Sequence, residues 1–215
     1  MEPIRSHRAA GPPAVDGDSS LPYRDASGPV YPPREDSLLL LPFAAVAAGS
    51  RFLEVGTGVG LAALAAARCG ARVVATDLNP HALHILRERA RAERLDVELV
   101  RTDLARGLGR FDRVLANPPY LPTRPEERDP DRWHNLALDG GPDGCRVTAR
   151  LVEELDQHLL PDGEAFVLVS SRQDPAALER IRLGWSRAGG TVLLAGSREL
   201  EGERLDVWRL RLEKR

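Results

Sequence analysis

Residues 51–60 read Arg51-Phe52-Leu53-Glu54-Val55-Gly56-Thr57-Gly58-Val59-Gly60, and the chain runs on through an alanine- and leucine-rich stretch, Leu61 to Cys69, to Gly70. A short apolar run, a loop with three alternating glycines and a segment of strong helix formers predict a strand, a tight turn and a helix. Glycines in such a turn accept positive φ and let backbone approach a ligand closely. Working outward, the alternation repeats. Arg72–Thr76 and Asp96–Arg101 read as strands, with a helix between them that begins at Pro80 and ends near Arg94. Phe111–Ala116 reads as a fourth strand. A helix over Arg146–His158, a strand over Glu164–Ser170 and a helix over Pro175–Ala188 follow. The strands Thr191–Gly196 and Arg204–Leu212, linked through Ser197–Gly202, form a hairpin. Strands alternating with helices imply a mostly parallel α/β sheet of seven strands with helices on both faces, and the hairpin adds an antiparallel edge strand.

The flanking regions differ in character. Residues 1–28 are rich in Pro, Gly, Ser, Asp and Arg and predict a flexible N-terminal arm, leaving 29–215 as the domain. Glu35, Asp36 and Ser37 favour a helix start, which Pro42 divides. Leu121–Gly144 reads as one long Pro-, Asp- and Gly-rich loop.

Composition narrows the function. The 215 residues carry a formal net charge of −2, so no overall field favours a polyanion and nucleic acid is an unlikely partner. Cys69 and Cys145 lack metal-ligand spacing and read as ordinary thiols of a reducing compartment. His81 and His84 have no carboxylate or cysteine to complete a ligand set, so no metal is expected. No secretory signal is evident, and the apolar run Leu38–Ala48 is too short to span a bilayer. A cytoplasmic protein is expected.

Three acids stand at successive strand ends. In a doubly wound sheet, ligands bind beyond the carboxyl ends of the strands. Glu54 precedes the loop of Gly56, Gly58 and Gly60, where a carboxylate repels pyrophosphate and suits a cationic or hydroxyl-bearing ligand. No P-loop lysine follows. Asp77 lies about twenty residues on, placed for ribose hydroxyls. Asp103 is placed for an adenine amino group, with Leu78 and Leu104 flanking the ring. This set describes a pocket for a phosphate-free adenosine, and S-adenosylmethionine fits it. Each acid alone also has a structural reading, as a helix cap or a turn residue.

After the fourth strand comes Asn117-Pro118-Pro119-Tyr120, a carboxamide oxygen, a backbone carbonyl and an aromatic face in a small space. LEVGTGVG, TDLNP, TDL and NPPY together resemble the class I S-adenosylmethionine-dependent methyltransferases. NPPY narrows the resemblance to HemK-type glutamine methyltransferases and adenine-amino methyltransferases of DNA and RNA. Tyr31-Pro32-Pro33-Arg34-Glu35-Asp36-Ser37 and Gly140-Gly141-Pro142-Asp143-Gly144 resemble segments of the compact HemK branch, which modifies the Gly-Gly-Gln glutamine of archaeal–eukaryotic release factors. The resemblance implies a Rossmann-like fold, with Ser37, Glu54, Gly56, Asp77, Asp103 and Leu104 on the cofactor. It implies that Asn117 and the Pro118 carbonyl hold the substrate amide, with Pro119 beside them and Tyr120 packed on the amide plane. It also implies a small zinc-binding activator protein docked along a sheet edge, at Val97 and Leu99, which read as exposed apolar residues of the third strand. The rival readings are an adenine methyltransferase and a non-catalytic binding subunit of the same fold.

Overall fold

The computed structural model describes residues 29–213, and the predicted N-terminal arm lies outside them. The chain order is α1 (Glu35–Leu40), a 3-10 turn (Leu41–Ala44), β1 (Arg51–Val55), α2 (Leu61–Arg68), β2 (Arg72–Thr76), α3 (Pro80–Glu93), β3 (Val97–Val100) and β4 (Phe111–Ala116). A short 3-10 turn (Pro125–Glu127), α4 (Arg132–Leu138), α5 (Arg146–His158), β5 (Leu159–Ser170), α6 (Pro175–Arg187), β6 (Gly190–Leu200) and β7 (Glu203–Leu212) follow.

The seven strands lie in the order β3-β2-β1-β4-β5-β7-β6. β3 through β5 are parallel, and β7 runs antiparallel to both β5 and β6. The connections leave β1 toward β3 on one side and resume from β4 on the other. A crevice opens between the carboxyl ends of β1 and β4, where helices depart to opposite faces. The register brings the tips level, because Val55 pairs with Thr76 on one side and Ala116 on the other.

Each sheet face buries its own apolar cluster. Phe52, Leu64, Leu86, Leu115 and Phe166 pack on one face. Leu53, Val114, Leu151, Leu155 and Trp185 pack on the other. That double burial explains why the central strands read as continuous apolar runs. Local caps fix the helix starts. Asn79 accepts from the His81 N–H ahead of α3, and Asp174 accepts from the Ala176 and Ala177 N–H groups ahead of α6.

Three expectations change. Leu121–Gly144 is not one loop, since α4 forms inside it. Asp131 caps α4 by accepting from the Trp133 N–H at 2.8 Å, and Asn135 ties Asp129 to the helix. Asp131, which looked like a loop residue, is the helix cap, and Asp129 is bonded to Asn135 and His134 of the helix. The hairpin is tighter than its composition suggests: Leu200 pairs with Glu203, and the turn is Glu201-Gly202. Ser197–Glu199 are polar because they are exposed strand, not because they turn. β7 is therefore interior and β6 is the edge strand. Val97 and Leu99 are half-buried against the apolar cluster rather than exposed, because β3 turns them toward the sheet's helical layer. Among the described residues no helix is long and apolar enough to cross a membrane.

The glycine loop makes a graded prediction. Gly58 and Gly60 both hold positive φ, at 53° and 77°. A Cβ at Gly58 meets open space, whereas one at Gly60 strikes the fully buried Leu86 side chain. Gly58→Ala is expected to cost about 1 kcal/mol of stability, and Gly60→Ala roughly 2–4 kcal/mol, since overpacking adds to the left-handed penalty. Equal losses in denaturant unfolding would refute this division.

Candidate functional site

The crevice holds a cavity of about 540 Å³ whose wall includes Glu54, Gly56, Gly58, Asp77, Asp103 and Asn117. Glu54 is held where α2 begins. Its Oε2 accepts from the Thr57 hydroxyl at 2.5 Å and from the Ala63 N–H at 3.0 Å. The carboxylate therefore caps α2, whose own N-cap, Gly60, has no side chain to do so. Burial pushes the Glu54 carboxyl up to about 7, against the pull of the Thr57 and Ala63 bonds and with a further push from Asp77.

Asp77 spans the loop. Its Oδ2 accepts from the Gly58 N–H at 3.0 Å and its Oδ1 from the Asn79 N–H at 2.8 Å. Burial raises its carboxyl above the ordinary range, with these amides opposing. A carboxylate oxygen has more than one lone pair, so both atoms keep acceptor capacity. Asp103 is more open and pairs with Arg150 of α5 at 2.6 Å. The next residue, Leu104, stands at φ 52° without being a glycine. Such left-handed backbone costs roughly 1–2 kcal/mol, and the next residue, Ala105, is buried. Leu78 and Leu104 both line the cavity, and Leu78 is exposed toward it.

Asn117, Pro118 and Pro119 form the wall at the β4 tip. The Asn117 Oδ1 is shut off from solvent and has no donor among the described residues. An acceptor left so costs about 1–3 kcal/mol, so the position is not set by stability alone. Tyr120 stands behind this wall rather than on it. It packs against the apolar cluster under α1 and points its hydroxyl at buried Asp36, 3.4 Å away. Burial, with Asp36 and Glu203 adding to it, pushes the Tyr120 phenol well above its ordinary range. Gly60, the N-cap of α2, is not on the cavity wall, and a Cβ there would meet Leu86.

The roof of the cavity joins the Tyr31–Ser37 segment, singled out by its resemblance, to parts of α4 and α5 that the sequence did not mark. Tyr31, Pro32, Pro33 and Ser37 enter from the N-terminal side. Asn79 anchors that segment by donating to the Pro29 carbonyl at 2.7 Å. α4 contributes Arg132 and Trp133, and the Trp133 ring meets His81 edge-on at 5.8 Å. Arg146, Val147, Arg150 and Leu151 line the cavity from α5. Their i, i+4 spacing was the available signal, masked by the ordinary look of charged residues on an amphipathic helix. Asp139, 6% exposed, accepts from both Arg128 and Arg146. Burial works against its carboxylate, but the Gly141 N–H and the two guanidiniums outweigh it and hold the carboxyl below the ordinary range. Among the described residues no group of His, Cys, Asp and Glu is arranged to hold a metal ion.

The arrangement has known counterparts. The Methyltransferase small domain family matches residues 35–136. Methyltransferase HEMK2 of Homo sapiens is 33% identical over 86% of this chain and 90% of its own length. The chain belongs to the HemK-type class I methyltransferases. A release factor glutamine methyltransferase of Deinococcus radiodurans is 43% identical over 63% of this chain, although only 51% of that longer protein is covered. Among solved structures, the Mtq2–Trm112 complex of E. cuniculi, described as responsible for methylation of the eRF1 termination factor, matches with a TM-score of 0.65 and 26% identity. That match covers 86% of this chain and 100% of the chain it aligns with.

Glu54 yields a pH test on this methyltransferase in its ligand-free state. Its folded carboxyl titrates near 7, above the ordinary glutamate value of 4.5. The folded state thus holds the proton longer than the unfolded state, and stability falls as pH rises from about 5 to 7. Relative to wild type, Glu54→Gln is expected to gain on the order of 1–3 kcal/mol between pH 5 and pH 8, after allowance for solvent screening. A stability difference that does not move with pH would show that Glu54 is ionised throughout.

Proposed function

We propose that this enzyme transfers a methyl group from S-adenosylmethionine to the side-chain amide nitrogen of a protein glutamine, in the Gly-Gly-Gln loop of a peptide chain release factor. The observation that carries this reading is Asn117 at the β4 tip, on the wall of a cavity lined by acids, with an Oδ1 that has no donor among the described residues. An amide N–H is the donor that such an acceptor lacks. The names of the relatives point to the same acceptor.

The cavity fits the proposed donor by its chemistry. Backbone amides are turned to Glu54 and Asp77 rather than outward as a phosphate cradle. Glu54, Gly56 and Gly58 would hold the cationic amino-acid end, Asp77 the ribose hydroxyls, and Asp103 with Leu78 and Leu104 the adenine. Ser37 would close over the ligand from the roof. When bound, the cofactor supplies an electrophilic methyl on a sulfonium.

The chain's own residues would then act on the acceptor. The Asn117 oxygen and the Pro118 carbonyl accept the two N–H groups of the amide, which favours electron density on the nitrogen. The stiff Pro118-Pro119 turn fixes the direction of both oxygens. Orientation of this kind supplies on the order of 7 kcal/mol at the lower end of its range. Tyr120 remains a neutral phenol because burial, and after it the nearby Asp36 and Glu203 carboxylates, oppose ionisation. It therefore serves as a support for the tip and not as a base, and the proton that the nitrogen gives up on methylation would pass to water. A zinc-binding activator would add to the open hydrogen-bonding edge of β3, which pairs with β2 on one side.

The decisive assay uses labelled methyl donor with a release factor and with its Gln→Ala variant in the Gly-Gly-Gln loop. Label is expected in the first and absent from the second. Equal labelling of both removes the glutamine assignment, and label entering only duplex DNA installs the adenine reading in its place. Asn117→Ala is expected to lower turnover on the order of 100-fold or more, with cofactor affinity within a fewfold of wild type. A variant of normal rate would remove Asn117 from the acceptor role.

A further inference from the structure

Behind the acceptor tip lies a glycine loop whose contacts are unusually close. Gly144 stands at φ 73°, and a Cβ there would strike the Tyr120 carbonyl oxygen and press on Pro122 at 3.3 Å. A Cβ at Gly140 would meet the Gly144 carbonyl oxygen at 2.5 Å. The loop is also stitched to the residues just past the tip. The Gly140 N–H donates to the Leu121 carbonyl at 2.9 Å, and the Thr123 N–H to the Gly141 carbonyl at 2.9 Å. Gly140–Gly144 therefore acts as a mould against which Tyr120 and Leu121 are set.

One side chain fixes the mould. Gln173 is 2% exposed and follows the carboxyl end of β5. Its Nε2 donates to the Gly144 carbonyl at 2.8 Å and to the Thr148 hydroxyl at 3.2 Å, while its Oε1 accepts from the Ser170 N–H at 2.9 Å. A buried amide satisfied on both sides is a rigid link, since breaking any one bond strands its partner away from water. The neighbouring Asp174 N–H adds a bond to the Asp143 carbonyl at 2.9 Å.

We propose that Gln173 is a positioning residue for methyl transfer: by holding Gly144 against the Tyr120 carbonyl, it sets where the Asn117 and Pro118 oxygens stand. The catalytic half of this statement rests on the acceptor role given to Asn117 above. A small displacement of reacting groups costs on the order of 100-fold in rate, so a residue that never touches substrate can govern turnover.

The test compares Gln173→Met, which keeps the length but loses every bond, with Gln173→Glu, which keeps the shape and the bond from Ser170. Leu155→Val, a truncation in the apolar core of α5, controls for general destabilisation. In hydrogen exchange, the Gly140 and Thr123 amides of Gln173→Met are expected to exchange at least tenfold faster, with the β1 amides unchanged. In turnover, kcat is expected to fall at least tenfold with cofactor Kd within twofold, while Leu155→Val keeps its kcat. Gln173→Glu regains the donor when protonated, so its kcat relative to wild type is expected to rise as pH falls. Wild-type exchange or wild-type kcat in Gln173→Met overturns the proposal. So does an equal kcat loss in Leu155→Val, a flat pH ratio for Gln173→Glu, or failure of its protonated form to fold. If the wild-type enzyme transfers no methyl to glutamine, the functional reading falls while the exchange measurement still judges the link.

Discussion

A carboxylate at the end of the first strand does two jobs that pull against each other. Glu54 caps α2 through the Ala63 N–H and holds Thr57, which fixes the glycine loop. It does so at the bottom of a crevice where burial raises its carboxyl to about 7. A neutral cap would serve the helix at lower desolvation cost. The retention of an acid there makes sense when a cation completes the site, because opposite charge restores the ionised form. The loop, the α2 start and the second acid, Asp77, all hang on this point, since Asp77 takes the Gly58 N–H from the other side.

The remaining specificity follows from what the crevice excludes. In phosphate-binding versions of this topology, a helix N-terminus and glycine amides face the ligand. Here the Gly58 and Ala63 amides are spent on carboxylates and the Gly60 amide on the Thr57 carbonyl, so the cavity offers acceptors where an anion needs donors. Asp103 extends the pattern outward, balanced by Arg150 of α5. The strained backbone at Leu104 sits beside it. Strain of this kind persists where surrounding packing over-determines it, and it concentrates at ligand sites.

Much of the fold was legible because it is written locally. Alternating strand and helix segments gave the parallel sheet, and the residues at strand tips, Glu54, Asp77, Asp103 and Asn117, lie on the cavity wall as their positions implied. What was hidden depends on contacts distant in sequence. Gly60 carries the same spacing as its neighbours, yet its reason for being glycine is Leu86, on another helix. Val97 and Leu99 looked exposed on an edge strand but pack on a core that their own segment does not reveal. α4 was lost because its cap, Asp131, sits in a run of Pro and Asp that reads as loop. Polar residues of β6 read as a turn for a similar reason, since an edge strand is wet on one side. Tyr120 belonged to a motif, and the motif says that it matters without saying which way it faces.

That orientation of Tyr120 joins the two halves of the site. Its ring packs behind the acceptor tip, and its hydroxyl reaches Asp36 at the start of α1. Asp36 is buried, and it also accepts from the N–H and hydroxyl of Ser37, which lines the roof. The roof is anchored a second time where Asn79, the α3 cap, donates to the Pro29 carbonyl. One anchor thus belongs to the acceptor tip and the other to the loop beyond Asp77. The roof is thus tied to the β4 tip through Asp36 and Tyr120 and to the loop beyond Asp77 through Asn79. The turn that carries Asn117 is therefore tied on one side to the roof, through Tyr120 and Asp36, and on the other to the glycine loop, through Leu121 and Thr123.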